Sequence, residues 1–203
     1  MRSRSYGAIR STVPMIITIV AGGYGMLLTE GALSLWIIPI AIGVFSYLFL
    51  ELLFLSLYFS ARYPVNGISH VNLATVPLIF WLVSFTSVGL TVFINGSRLI
   101  PIAALGAVSL ILFYTISHPE ASPADRRRWA LLGMWIGIHI GIMGVVLPLT
   151  LPVHACLAAI CGAFALRVRR YTSLPMIPVK IRVTEMIGFS IFFVAILATA
   201  SWI

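Results

Sequence analysis

Long apolar runs alternate with short polar breaks along this chain, and seven of the runs read as membrane-crossing helices. They fall at about residues 13–29, 33–58, 73–94, 99–117, 129–146, 153–166 and 184–202. The first continues through Gly22-Gly23-Tyr24-Gly25, and a tight turn at Glu30-Gly31 leads at once into the second. A retained anchor helix is therefore expected in place of a cleaved signal peptide. Pro39 is expected to bend the second segment. Asn95-Gly96-Ser97-Arg98 predicts a turn between the third and fourth, and Leu147-Pro148-Leu149-Thr150-Leu151-Pro152 a turn between the fifth and sixth. The sixth is brief. Six helices is the alternative count, if that segment is re-entrant or the first is removed.

The breaks carry start and stop signals. Ser122 suits an N-cap, Pro123 the first helical position, and Asp125 can reach back as in a capping box. Arg126-Arg127-Arg128 follow, with Trp129 at the membrane interface. Pro175 and Pro178 predict an irregular basic connection holding Arg167, Arg169, Arg170, Lys180 and Arg182. Glu185 is expected in the first turn of the last helix, where it complements the dipole.

The charge pattern orients this layout. Of 13 Lys and Arg, 12 lie in connections on the side of the N-terminus, and Arg98 alone lies opposite. A bias of that size predicts a cytoplasmic N-terminus and an external C-terminus. Composition agrees, with 61% hydrophobic and 9% charged residues against about 25% charged in a soluble domain. Seven helices take roughly 140 residues, so residues 1–203 form a single transmembrane domain with no soluble domain. The expected fold class is all-α, a polytopic helix bundle in a bacterial or archaeal cytoplasmic (inner) membrane. The net charge of +8 sits at membrane borders, where it attracts anionic lipid at the cytoplasmic face. No aromatic-basic platform accompanies it, so no nucleic-acid partner is expected.

Gly133, Gly137 and Gly141 repeat every four residues on the fifth segment, with Gly144 near the same face. Such a stripe lets a second backbone approach closely, either within the chain or in a homo-oligomer or membrane-protein partner. His139 points about 160° away from it, near the middle of the segment, with Trp135 and Met143 on its face. Glu51 lies in the cytoplasmic half of the second segment, with Tyr47 and Tyr58 on about its face. Polar groups at bilayer depth are candidates for a site. Ser84, Ser87 and Thr91 add a hydroxyl stripe on the third segment, which either bonds between helices or lines a ligand path.

His70 and His118 flank the hairpin of segments three and four, with Glu120 nearby. Paired histidines at one depth are how a membrane haem is held, and His/His/Glu suits zinc. Both histidines lie in polar loops, where they need no such explanation, so neither metal nor cofactor is expected and haem is the lesser alternative. His154, near the outer surface, has no evident partner at its depth. Cys156 and Cys161 sit about 140° apart on a helix and read as small buried residues. No spanning segment contains a lysine, and no nucleophile, phosphate-loop or metalloprotease motif is present.

Ala124-Asp125-Arg126-Arg127-Arg128-Trp129 opens one helix and Arg182-Val183-Thr184-Glu185 opens the last. Through these motifs residues 122–203 resemble a bacterial family of small multi-pass membrane proteins with no assigned function. The resemblance implies a similar helix layout and no activity. The expected role is non-catalytic, that of an accessory or assembly subunit packing against other membrane proteins. The alternatives are a small transporter or channel using Glu51, His139 and the hydroxyl stripe, and a membrane enzyme acting on lipid or isoprenoid with Glu51 and His139 as acid and base.

Overall fold

A computed structural model describes residues 2–28, 36, 39–40, 42–44, 46–51, 54, 66–116, 122–173 and 177–200. Among the described residues the chain is helical, without strands. Its helices are α1 (Arg2–Leu27), α2 (Asn66–Phe93), α3 (Leu99–Thr115), α4 (Pro123–Val146), α5 (Leu151–Ser173) and α6 (Val179–Thr199). Between α1 and α2 the described residues from 36 to 54 are also helical. Half of the predicted second segment, and its Glu30-Gly31 turn, lie outside the described residues.

Among the described residues, four helical stretches are long and apolar enough to cross a membrane: Thr75–Phe93, Pro123–Val146, Leu151–Thr172 and Val179–Thr199. Thr12–Leu27 and Leu99–Thr115 are apolar but shorter. At 1.5 Å per residue the 17 residues of α3 extend about 26 Å, just under a hydrocarbon core of about 30 Å.

α2 is the hub. It packs against α1, α3 and α5, while α3 and α4 pair most extensively with each other. Val76, Ile79, Phe80 and Val83, spaced by three and four, are buried on one side of α2. They meet Leu105, Leu112 and Phe113 of α3 and Ala158 and Leu166 of α5 in a single core. A Cβ at Gly162 would overlap the Phe80 ring, so only glycine lets α5 lie this close to α2. α6 is the opposite case. It packs chiefly on α5 and has no buried residue.

The turns form as their residues dictate. Asn95 at the end of α2 has φ 54°, and Gly96 N–H donates to the Leu90 carbonyl at 3.1 Å. Asn tolerates this left-handed position better than other non-glycine residues, and the six-residue closure satisfies an orphan carbonyl. At the start of α4, Ser122 Oγ accepts from Asp125 N–H at 3.1 Å, with Pro123 in the first turn. The carboxylate of Asp125 does not reach the backbone of Ser122 as a full capping box would. It accepts from the Ser122 hydroxyl at 2.6 Å.

Two sequence expectations are corrected here. The sixth segment is not brief: α5 runs 23 residues, from Leu151 to Ser173, and takes Arg167, Arg169 and Arg170 into the helix. Nothing breaks the helix at these cations, because Arg169 folds inward and Arg167 finds a carboxylate. The last helix begins at Val179, directly after Pro178, so Glu185 lies beyond its first turn. Its charge is used on α5 and not on the helix dipole.

Candidate functional site

The glycine stripe of α4 is filled from within the chain. A Cβ at Gly133 would strike the Phe113 ring, and one at Gly137 would meet the Leu105 carbonyl and Ser109. One at Gly141 would lie 2.6 Å from Ile102 Cα. Four-residue spacing therefore carries α3 along α4 at close range for about two turns. Gly144 leaves this seam and faces Val88 of α2, with 3.1 Å to Val88 Cγ2 from a built Cβ. Ser109 sits fully buried in the seam, and its hydroxyl has no hydrogen-bond partner among the described residues.

His139 faces outward on the other side of α4 and is exposed. Its Nδ1 lies 2.8 Å from the Trp135 carbonyl, one turn back on the same helix. A carbonyl only accepts, so Nδ1 carries a proton in this contact. The ring also leans on the Trp135 indole, with centroids 4.1 Å apart. Glu51 is exposed too, among exposed Tyr47, Leu48 and Leu50, and has no partner among the described residues. The two groups therefore do not share a buried cavity. Tyr58 lies outside the described residues.

Two of the three hydroxyls of the stripe are spent locally. Ser87 Oγ donates to the Val83 carbonyl at 2.6 Å, and Thr91 Oγ1 to Val88 at 2.6 Å. Ser84 is buried one turn earlier. These are bonds within α2, of the kind that lets a hydroxyl sit in an apolar helix without a second partner. His118 and Glu120 lie outside the described residues, and His70 is placed on α2 by its backbone alone. Cys156 and Cys161 are unpaired thiols, each half-buried.

His154 does have a partner, contrary to the sequence expectation. Its ring is buried at the start of α5, and Nε2 lies 3.0 Å from the Leu147 carbonyl. The turn between α4 and α5 brings that carbonyl back over the first turn of α5, and the imidazole closes it.

The main polar feature that sequence reasoning missed is Arg169. It reads as a loop cation, yet it is only 4% exposed. Its guanidinium donates to the Phe113 carbonyl in the last turn of α3. It also lies 5.8 Å from the Phe113 ring centroid and 5.6 Å from that of Trp129. α3 has no basic residue in its own last turn, so a neighbouring helix supplies the cation that its C-terminal dipole favours. The signal was present in the spacing. Ala155, Ala158, Gly162, Leu166 and Arg169 follow at intervals of three and four, all buried. The buried stripe of α5 runs into the arginine.

Beside it, Glu185 of α6 binds two groups of α5. Arg167 Nη1 stands 3.4 Å from one carboxylate oxygen, and the Tyr171 hydroxyl donates to the other. One turn of α5 thus ties α3, α4 and α6 together at the basic end of the bundle.

These features define a helical membrane protein whose polar groups mostly serve its own packing. Comparison with known protein families, with curated proteins and with solved structures gives no match.

Proposed function

We propose that this chain is a non-catalytic accessory or assembly subunit, embedded by seven spans in a bacterial or archaeal cytoplasmic membrane. Its N-terminus and the Arg169 corner lie on the cytoplasmic side, and its C-terminus outside. The observation that carries the reading is α6. It is 21 residues long, apolar, and without a single buried residue. In a bundle with a well-filled core, such a helix contributes little to the fold of its own chain and offers its length to others. Glu51 supports the same reading, because its carboxylate is exposed on a helix side with exposed Tyr47, Leu48 and Leu50. A carboxylate at that depth is stabilised by a partner.

The competing roles lose their residues. Transport or acid–base chemistry needs groups that converge and remain unsatisfied. Among the described residues, His139 bonds its own helix, Ser87 and Thr91 do the same, and Glu51 and His139 face outward.

The test is purification of the tagged full chain in mild detergent from its native membrane, followed by quantitative mass spectrometry. The expected result is one or more integral membrane proteins at stoichiometric yield, lost when α6 is rebuilt as polyleucine. A chain that elutes alone with lipid, under conditions that preserve other membrane complexes, overturns the proposal. Cysteine labelling at Ser97 and Ser122 reports the orientation separately, with Ser122 expected at the cytoplasmic face.

A further inference from the structure

We propose that this chain binds a second copy of itself, the helix Ile42–Glu51 of one copy packing on the outer face of α4 of the next, with Glu51 paired to Arg128. This goes beyond the accessory role, which concerns other proteins along α6. It needs only that both copies span the membrane in the same direction, whichever direction that is. Two such copies differ by movement in the membrane plane, so a level shared within one chain is shared between chains.

Helix contacts set those levels. α1 and α2 run in the same direction, because Gly22, Gly25 and Leu28 of one stand beside Leu82, Thr86 and Gly89 of the other in that order. The chain between them crosses back, so the helix Ile42–Glu51 runs against both. α4 runs with α2, since both are antiparallel to α5: Phe80 and Gly89 meet Gly162 and Leu151, and Trp129 lies by Arg169. Gly144 faces Val88, and six positions back along each helix lie Ile138 and Leu82. Ile42 fills the space at Gly22, next to Leu82, so Ile42 stands at about the level of Ile138. Glu51, nine positions on, reaches about the level of Trp129, next to Arg128.

The two outer faces match in spacing and in charge. Ile40, Val44, Tyr47 and Glu51 are exposed and follow at intervals of four, three and four, while Phe49 is buried on the inner side. On α4, Arg128, Leu132, Trp135 and His139 are exposed at the same intervals, opposite the buried glycine stripe. Four-three spacing is the seam of a helix pair. Laid antiparallel, the rows meet as Glu51 on Arg128, Tyr47 on Leu132, Val44 on Trp135 and Ile40 on His139. That register agrees within one residue with the levels set by the contacts. Neither Glu51 nor Arg128 has an ion pair or hydrogen bond among the described residues. A carboxylate and a guanidinium at one level are complementary, and a second copy supplies each with the other. Each copy has one face of each kind, so the contact is heterologous.

The experiment is oxidative cross-linking of two differently tagged full chains co-expressed in one membrane. One carries Tyr47→Cys and the other Leu132→Cys, and the chain with native Cys156 and Cys161 alone sets the background. A disulfide-linked species holding both tags is expected. Tyr47→Cys with Ile142→Cys, about 15 Å further along α4, should give background. Glu51→Arg in the first chain or Arg128→Glu in the second should each cut the yield about fivefold, and the two together should restore it. No species with both tags, an equal yield from Ile142→Cys, a link from Leu132→Cys to a different protein in its place, or no recovery in the double reversal each overturns the proposal. Should a charge variant fail to insert, the two cysteine pairs alone decide. The accessory role is tested apart, by the other proteins that co-purify with the chain and depend on α6.

Discussion

Replacing Gly137 with alanine tests what holds this bundle together. In lipid the apolar effect does not drive one helix against another, so close packing must. The structure places the new methyl against the Leu105 carbonyl and 2.7 Å from Ser109 Cβ. Both belong to α3, and the carbonyl is backbone, so relief requires the whole helix to shift. Overpacking of this kind costs about 1–3 kcal/mol, against a gain of up to about 1 kcal/mol from replacing glycine in a helix. A net loss of about 1–2 kcal/mol is expected for Gly137→Ala. Gly141→Ala, which meets Ile102 Cα at 2.6 Å, should match it. Gly144→Ala touches only a valine methyl at 3.1 Å and should cost less. Gly188→Ala on α6 has nothing within 4 Å and serves as the control, since it receives the same propensity gain without a clash. Reversible unfolding of the four variants in mixed micelles gives the order. If Gly137→Ala is as stable as Gly188→Ala, the seam between α3 and α4 is not close-packed and the reasoning fails.

Arg169→Met should destabilise by about 2–3 kcal/mol in the same assay, because a charged hydrogen bond to the Phe113 carbonyl and two ring contacts are lost. Arg169→Lys should recover only part of this. Ser122→Ala should cost about 1 kcal/mol through the lost cap on Asp125 N–H, and Ser122→Asp should restore it, by the same unfolding measurement. Ser109→Ala removes a buried hydroxyl that has no partner, and is expected to be neutral or to stabilise by up to about 1 kcal/mol. A loss above 1 kcal/mol there would show that the hydroxyl is bonded after all. Glu185→Gln should weaken the tie between α5 and α6 by no more than about 1 kcal/mol, since Arg167 and Glu185 are each one-third exposed.

What the sequence could show was set by which signals are local. Ser122, Pro123 and Asp125 form a start signal within four residues, and the helix begins there. Apolar runs announce helices, so α2, α4 and α6 were legible in existence, though α6 starts about five residues before the run suggests. The glycine stripe announces a close contact but not its partner. Spacing names a face, and only the fold shows that α3 covers it. His139 and Ser87 looked like site residues because a polar group in an apolar run demands a partner. The carbonyl one turn back meets that demand, and no sequence pattern separates this outcome from a ligand. Arg169 was read as loop because arginine is rarely buried. Burial became possible through a carbonyl and an aromatic ring from α3, which lies 56 positions earlier in the chain, and that is information no local window contains.

The distribution of burial follows from the solvent each helix is built to meet. α2 supplies much of the core, and α6 supplies nothing to it, although the apolar stretches of both qualify as candidate spans. Hydrophobicity therefore does not decide which helix is central, as it would in water. Residue size does. The central contacts have glycine or alanine on one side: Gly162 against Phe80, Gly133 against Phe113, Gly137 against Ser109. α6 has Gly188 with open space around it, and its ties to α5 include the Arg167–Glu185–Tyr171 cluster and the edge-on pair of Phe164 and Phe189. A helix that places no residue in the core can separate from its bundle without opening it. That is the physical reason to look for a lipid or another protein along α6, and to look for neither in the seam between α3 and α4.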